Sequence, residues 1–189
     1  MNSGFRHYAA ALAALSLVAC VTTRSAVEPL AEGDFSMSGR VLVRQGERAD
    51  VLRIYWSHVA QVDEVRLETP LGQTVAELSL DPVKASAHLG DGRAFETNSD
   101  SELAERVIGT PVPLRRFADW LRAAPRADAS VTLRDDSQRV LAMRDAGWQL
   151  NYSGYGALAG LAGPSLVEAK REDVVVRVKI ESWQGGASK

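Results

Sequence analysis

Residues 35–56 read FSMSGRVLVRQGERADVLRIYW, and this stretch decides the fold class. Apolar and polar residues alternate in two runs, whose apolar members are Phe35, Met37, Val41 and Val43, then Leu52, Ile54 and Trp56. Gln45-Gly46 between the runs is typical of a turn. A period of two places one face of a β-strand against a core and the other in water. The stretch therefore predicts two strands of an antiparallel sheet.

The same pattern recurs through most of the chain. Further runs lie at residues 65–67, 76–80, 83–89, 131–133, 141–143, 148–152, near 166, and 174–180. Residues 99–109 and 114–121 have helical spacing instead, with Ser99 and Glu102 fitting a capping box and Gly109 suiting a helix end. We predict a mostly β (α+β) chain of about eleven antiparallel strands.

So many strands with one apolar face must curl to bury that face. We expect a half-open barrel covered by the two helices, with an apolar interior. A barrel of eight or more strands has room for a ligand, and the pattern leaves open whether the interior is filled.

Composition and charge exclude several classes of protein. The 189 residues carry 22 Lys and Arg against 24 Asp and Glu, for a net charge of −2. A nucleic-acid binder needs a basic excess to neutralise phosphates, so we expect no nucleic-acid partner. Cys20 is the single cysteine, which excludes an internal disulfide and a multi-cysteine metal site.

The first 19 residues have the pattern of a secretory signal peptide. Arg6 precedes a charge-free run of residues 8–19, which is too short to span a bilayer. The run ends Leu17-Val18-Ala19-Cys20, which resembles a bacterial lipobox and implies that Cys20 is acylated on its sulfur and amine. The alternative is a buried cysteine in a soluble exported protein. Val21 differs from the Asp that retains lipoproteins in the inner membrane of enteric bacteria, which favours the outer membrane.

These features divide the chain into three parts. We expect a lipoprotein signal peptide at residues 1–19, a lipidated N-terminus and flexible tether at 20–33, and the half-barrel at 34–184. The expected location is the outer membrane, with the body facing the periplasm.

The sequence contains no set of residues that indicates an enzyme. His58 and His88 fall in different strands, with no acid or second histidine at metal spacing. Asp135 and Asp136 lie in a predicted hairpin turn, which favours solvated carboxylates over an acid–base pair. We therefore expect no catalytic residues, no metal and no cofactor.

A series of short motifs resembles the outer-membrane lipoprotein receptor family LolB. The motifs are Phe35-Ser-x-Ser-Gly-Arg40, Tyr55-Trp56, Thr69-Pro-Leu-Gly-Gln-Thr74, Ala76-Glu-Leu78, Asp91-Gly-Arg93, Gly109-x-Pro-Val-Pro-Leu114, Trp120-Leu121, Gly147-Trp-x-Leu-x-Tyr152 and Ile180-x-x-Trp183. Their order covers nearly the whole expected mature chain. Residues 153–164 match least well.

The resemblance implies an open eleven-stranded barrel with an apolar cavity. It also implies that the protein accepts acylated lipoproteins from the periplasmic carrier LolA and inserts them into the inner leaflet of the outer membrane. We expect a monomer that acts without nucleotide. The alternative is a lipid-sensing or signalling envelope lipoprotein with a similar half-barrel.

The alternating apolar residues are the candidates for an acyl-chain cavity. They are Val41, Val43, Leu52, Ile54, Trp56, Leu67, Leu78, Trp120, Trp148, Leu150, Val176 and Val178. The alternative for each is a plain core residue. The family carrier presents basic residues near its mouth, so Asp63, Glu64 and Glu68 are candidate contacts, or else solvated strand residues.

Leu71 stands out because it occupies the tip of a predicted type I turn, Thr69-Pro70-Leu71-Gly72, where a polar residue is expected. In the family this position is a protruding leucine needed for membrane insertion of the cargo. We expect Pro70, Leu71 and Gly72 to form a membrane-insertion loop. The alternative is a leucine folded back on its own hairpin.

Overall fold

The computed structural model describes residues 30–185. The strands of the first half are β1 (Phe35–Gln45), β2 (Arg48–Val59), β3 (Val62–Glu68), β4 (Thr74–Leu80), β5 (Ala85–Leu89) and β6 (Ala94–Thr97). Two helices follow, α1 (Asp100–Ile108) and α2 (Leu114–Leu121). The second half contains β7 (Ser130–Arg134), β8 (Val140–Asp145), β9 (Trp148–Ser153), β10 (Leu166–Arg171) and β11 (Val174–Gly185). Cys20 and the expected signal peptide lie outside the described residues.

All eleven strands form one open antiparallel sheet, so the predicted mostly β fold is confirmed. The strand order is β6-β5-β4-β3-β2-β1-β11-β10-β9-β8-β7. The first strand and the last strand therefore pair at the centre, from Phe35 opposite Gly185 to Gln45 opposite Val174. Each half of the chain extends outward from this pair by hairpins.

Gly39 allows β1 and β11 to approach closely. The register shifts between Ser38 and Gly39, so that Gly39 lies opposite Ile180 and Glu181 is the extra residue of β11. A Cβ at position 39 would lie only 2.1 Å from the carbonyl oxygen of Lys179. The glycine in the motif is therefore required by backbone proximity.

Caps define the ends of α1 as the sequence indicates. The Ser99 hydroxyl accepts a hydrogen bond from the Glu102 amide at 3.2 Å, and Gly109 ends the helix with a φ of 78°. The second half of the predicted capping box differs, because the Glu102 carboxylate accepts from the Thr97 hydroxyl at 2.7 Å instead.

In residues 30–185, no helix is long and apolar enough to cross a bilayer.

Contacts of α2 show that the sheet curls. Phe117 stacks on Trp56 of β2, and Trp120 lies against Trp148 of β9, each with ring centroids 5.9 Å apart. These two strands are four strand spacings apart in the sheet, or about 19 Å when flat. One short helix touches both, so the sheet wraps around it.

A buried carboxylate fixes α2 to the second half of the sheet. Asp145 at the end of β8 is 3% exposed and accepts a hydrogen bond from Trp120 Nε1 at 2.6 Å and another from Arg116. Arg116 also donates a hydrogen bond to Asp128. This bond raises the pKa of Arg116, so its guanidinium stays charged. The indole and the guanidinium both lose a partner if the carboxylate is removed.

Replacing Gly39 by Ala is expected to destabilise the junction of β1 and β11. The added methyl cannot coexist with the Lys179 carbonyl, so one of the two central strands must shift, at a cost of about 2 kcal/mol or more. Urea unfolding followed by circular dichroism measures this change. Gly163→Ala is the control, because its nearest neighbour would lie at an ordinary 3.6 Å. Equal stability of both variants would contradict the steric argument.

Asp145→Ala is expected to reduce the free energy of unfolding by about 3 kcal/mol, because it leaves a buried indole N–H without its acceptor and Arg116 with one anion fewer. Asp145→Asn keeps an acceptor oxygen and is expected to lose clearly less. The same denaturation measurement compares the two variants. A loss for Asp145→Asn as large as that for Asp145→Ala would show that charge, and not hydrogen bonding, holds α2.

Candidate functional site

An apolar hollow lies between the curled sheet and the two helices. Its walls come from β1–β4 and β11 on one side, and from α1, α2 and their linker on the other. The lining is made of apolar side chains: Val41, Val43, Ile54, Trp56, Val65, Leu67, Leu78, Ala104, Val107, Ile108, Val112, Leu114, Phe117, Val176 and Val178.

The structure brings together part of the residue set that sequence analysis proposes for a cavity. The members that line the hollow are Val41, Val43, Ile54, Trp56, Leu67, Leu78, Val176 and Val178. Leu52 is only half-buried and lies outside this lining. Trp120, Trp148 and Leu150 are fully buried in the other half of the barrel, where they pack as core.

Sequence reasoning missed the helical side of the hollow. Ala104, Val107 and Ile108 come from α1, Val112 from the linker, and Leu114 and Phe117 from α2. The available signal was the apolar stripe of each helix, together with the motif from Gly109 to Leu114. A stripe identifies the buried face of a helix but gives no indication of which part of a sheet it covers.

The hollow is small in this conformation. Its volume is about 40 Å³. For comparison, an apolar cavity of about 150 Å³ is needed to hold a single benzene molecule. The interior is thus nearly filled by side chains, and the hollow holds no fatty acyl chain unless its walls move apart.

Leu71 protrudes from the turn between β3 and β4. The Gly72 amide donates to the Thr69 carbonyl at 2.9 Å, and the Gln73 amide donates to the Thr69 hydroxyl at 3.2 Å, which closes the turn. Gly72 has a φ of +84°, a conformation that L side chains rarely adopt. Leu71 is 91% exposed, so it is not folded back on its hairpin.

The Leu71 turn lies at the same end of the barrel as the β1–β2 turn. Antiparallel hairpins alternate between the two ends of the sheet, and β1–β2 and β3–β4 turn at the same end. Val43, which lines the hollow, lies two residues from the end of β1, also at this end. An exposed leucine and the hollow therefore share one end of the molecule.

Asp63 is unsuited to the surface role that the sequence leaves open for it. Asp63 is 3% exposed and accepts hydrogen bonds from Trp56 Nε1 at 2.7 Å and His58 Nδ1 at 2.8 Å. It therefore orients an indole that lines the hollow. Glu64 and Glu68 lie on the outer face of the sheet, where Ser79 and Arg66 contact them.

Three buried polar atoms find no hydrogen-bond partner within residues 30–185. They are Thr110 Oγ1, Trp148 Nε1 and the hydroxyl of Tyr152. Burial raises the pKa of Tyr152, so this phenol stays neutral. The same part of the chain contains no group of three or more His, Cys, Asp and Glu residues able to hold a metal ion.

Comparison with known proteins identifies the family. Residues 33–183 match the family model described as "Outer membrane lipoprotein LolB". The outer-membrane lipoprotein LolB of Azoarcus sp. strain BH72 is 33% identical over 186 residues, which cover 95% of this chain and 96% of that protein. The LolB protein of Chromobacterium violaceum is 30% identical, with 85% and 86% of the two chains covered.

Solved structures support the fold alone. A LolA superfamily protein of Nitrosomonas europaea superposes with a TM-score of 0.52 at 10% identity, covering 85% of this chain and 90% of that one. A DUF1329 family protein of Desulfovibrio piger gives a TM-score of 0.58 at 9% identity, covering 84% and 88%. The sequence match over nearly the whole described domain decides the assignment: this chain belongs to the LolB family of outer membrane lipoproteins.

Proposed function

We propose that this protein accepts acylated lipoproteins from the periplasmic carrier LolA and inserts them into the inner leaflet of the outer membrane. The observation that carries the proposal is an entirely apolar hollow that shares one end of the barrel with an exposed leucine. Membership of the LolB family supports the same role.

Transfer between apolar sites follows from the chemistry of the cargo. Exposing a 16-carbon acyl chain to water costs roughly 12 kcal/mol at the rate for buried methylenes. Acylated proteins therefore need an apolar site at each stage of their passage. A receptor without an energy source transfers them only in the direction of lower free energy, from carrier to receptor to bilayer.

Acyl chains enter only if the hollow widens. The sheet is a continuous hydrogen-bonded network, whereas α1 and α2 are short and joined by a linker of five residues, 109–113. Displacing the helices separates Val107, Val112 and Phe117 from the sheet without breaking a strand pair. The helices are therefore the wall that moves, and moving α2 also breaks the hydrogen bonds from Trp120 and Arg116 to Asp145.

The sequence Leu17-Val18-Ala19-Cys20 supports the roles that we propose for the N-terminal part of the chain. Residues 1–19 serve as the signal peptide, Cys20 carries the lipid anchor, and residues 20–33 connect it to the half-barrel at 34–184. The protein acts as a monomeric, non-catalytic receptor. Its lipid anchor keeps the Leu71 turn near the membrane that receives the cargo.

A transfer experiment tests the function. The Cys20→Ala protein, a soluble body without the lipid anchor, is incubated with a complex of carrier and radiolabelled lipoprotein, then captured by an affinity tag. Co-purification of the lipoprotein, with loss from the carrier, supports a receptor. Binding of free lipid without removal of cargo from the carrier identifies a lipid sensor instead and contradicts the proposal.

Leu71→Glu is expected to keep the fold and cargo uptake but to block delivery to vesicles. Burying one leucine contributes only about 1.5–3 kcal/mol, which suffices to bias release at a bilayer but not to anchor the protein. Sedimentation of the reporter lipoprotein with liposomes measures delivery. Val83→Glu is the matched control, because Val83 is 69% exposed in the β4–β5 turn at the opposite end of the sheet. Equal delivery by the two variants would contradict a role for the Leu71 turn.

Hydrogen exchange tests the movable wall. Binding of an acylated peptide is expected to speed amide exchange in α1, α2 and residues 109–113, because these helices leave the sheet. Exchange in β1 and β2 is expected to stay slow, since their ladders remain paired. Mass spectrometry of peptic fragments measures both regions. Binding with unchanged or slower exchange in the helices would show that the chains enter by another route.

A further inference from the structure

Two buried hydrogen-bond donors outside the lining of the hollow have no role in the mechanism above. Thr110 in the linker and Trp148 at the start of β9 are both 0% exposed. Thr110 Oγ1 and Trp148 Nε1 have no partner within residues 30–185. An unpartnered buried polar group costs about 1–3 kcal/mol, so two of them in one region call for an explanation.

Arg171 brings these two residues into one region. Its guanidinium carbon lies 4.8 Å from the ring centroid of Trp148, and its Nη2 donates to the carbonyl of Pro111, the neighbour of Thr110, at 3.3 Å. Val112, the next residue of the linker, lines the hollow. The linker, β9 and β10 therefore meet beside the hollow wall.

The strand register places this region at the end of the barrel that bears Leu71. Arg171 pairs with Val174 across the β10–β11 turn, and Val174 pairs with Gln45 at the end of β1. The β1–β2 turn comes directly after Gln45 in the chain. The C-terminal end of α1, at Gly109, lies close to Arg48 at the start of β2. The linker residues beside Val112 therefore lie at the end of the barrel where the Leu71 turn protrudes.

The three groups share one hydrogen-bonding character. An indole N–H and a guanidinium only donate, and a threonine hydroxyl is able to donate. The carbonyl of a fatty acyl ester or amide has the opposite character, because its oxygen only accepts hydrogen bonds. When the hydrocarbon tail lies in an apolar hollow, this carbonyl is drawn out of water at the entrance and needs donors there.

We propose that Thr110, Trp148 and Arg171 form a subsite for the carbonyl groups of fatty acyl esters and amides. The inference rests on the proposed function, since it assigns the chemistry of the cargo that the hollow takes. It gives a partner to donors that have none among residues 30–185. It also makes the protein selective for acylated ligands over plain hydrocarbon chains.

Thr110→Val tests the subsite with two synthetic probes. One is a peptide whose N-terminal cysteine carries a dioctanoylglyceryl group, and the other is the same peptide with two ether-linked octyl chains. The pair differs in the carbonyls while keeping nearly the same chain length. Isothermal calorimetry with the intact soluble body gives both affinities.

The wild type is expected to bind the ester probe about fivefold more tightly than the ether probe, as one or two added hydrogen bonds allow. Thr110→Val is expected to reduce ester binding by a similar factor and to leave ether binding unchanged. Thr132→Val, on the exposed edge strand β7, is the matched control and is expected to change neither affinity.

Thermal unfolding of the free protein adds a second readout. Thr110→Val is expected to keep or raise the melting temperature, because the hydroxyl has no partner to lose. A clear decrease would show a structural role for the hydroxyl and overturn the assignment. Equal binding of ester and ether probes by the wild type would overturn the subsite alone, since binding itself supports the proposed function. Failure of both probes to bind would refute both.

Discussion

The pairing of β1 with β11 is the interaction on which the rest of the structure depends. These strands join residues that are 129 to 150 positions apart in the chain, and every other strand is added outward from them by a hairpin. Without this central pair, the two halves of the sheet would be separate meanders, each with an uncovered apolar face. Gly39 makes the approach possible, because its missing side chain leaves room for the Lys179 carbonyl.

Joining the two halves into one curled sheet creates an apolar interior that two short helices must cover. Asp145 holds α2 to β8 through Trp120 and Arg116, while Phe117 rests on Trp56 of β2. Asp63 in turn holds Trp56 by its indole N–H. Buried carboxylates thus fix the aromatic residues on each side of the interior. The sheet side of the lining is held by continuous strand pairing, whereas the helix side is held by packing and a few side-chain hydrogen bonds, so the helix side is the one that can open to admit and release hydrocarbon.

Alternation along the strands selected eight of the nine sheet residues that line the hollow, because a period of two reports which residues face inward, but it left out Val65 and included Leu52, Trp148 and Leu150, which lie outside the lining. It failed at the ends of strands. Val83 continues the alternation toward Ala85 but lies in the turn before β5 and is largely exposed. Strand β6 shows no apolar alternation, because its four residues are too few to establish a period of two. It is recognised as a strand only by its pairing with β5. Asp63 looks like a solvated strand residue until Trp56 and His58 are seen to donate to it across the hairpin.

The sequence by itself determined the fold class, the family and the exposed leucine, because strand periodicity, turn residues and short motifs are local properties of the chain. Only the tertiary structure decided which apolar residues face the hollow, how little space it leaves, and which polar atoms are buried without partners. Trp120 on α2 and Trp148 on β9 follow the same apolar patterns as the lining residues, yet they lie outside the lining and pack against each other. Which apolar residues face the hollow depends on how the sheet wraps around the helices, and that is set by contacts between residues far apart in sequence.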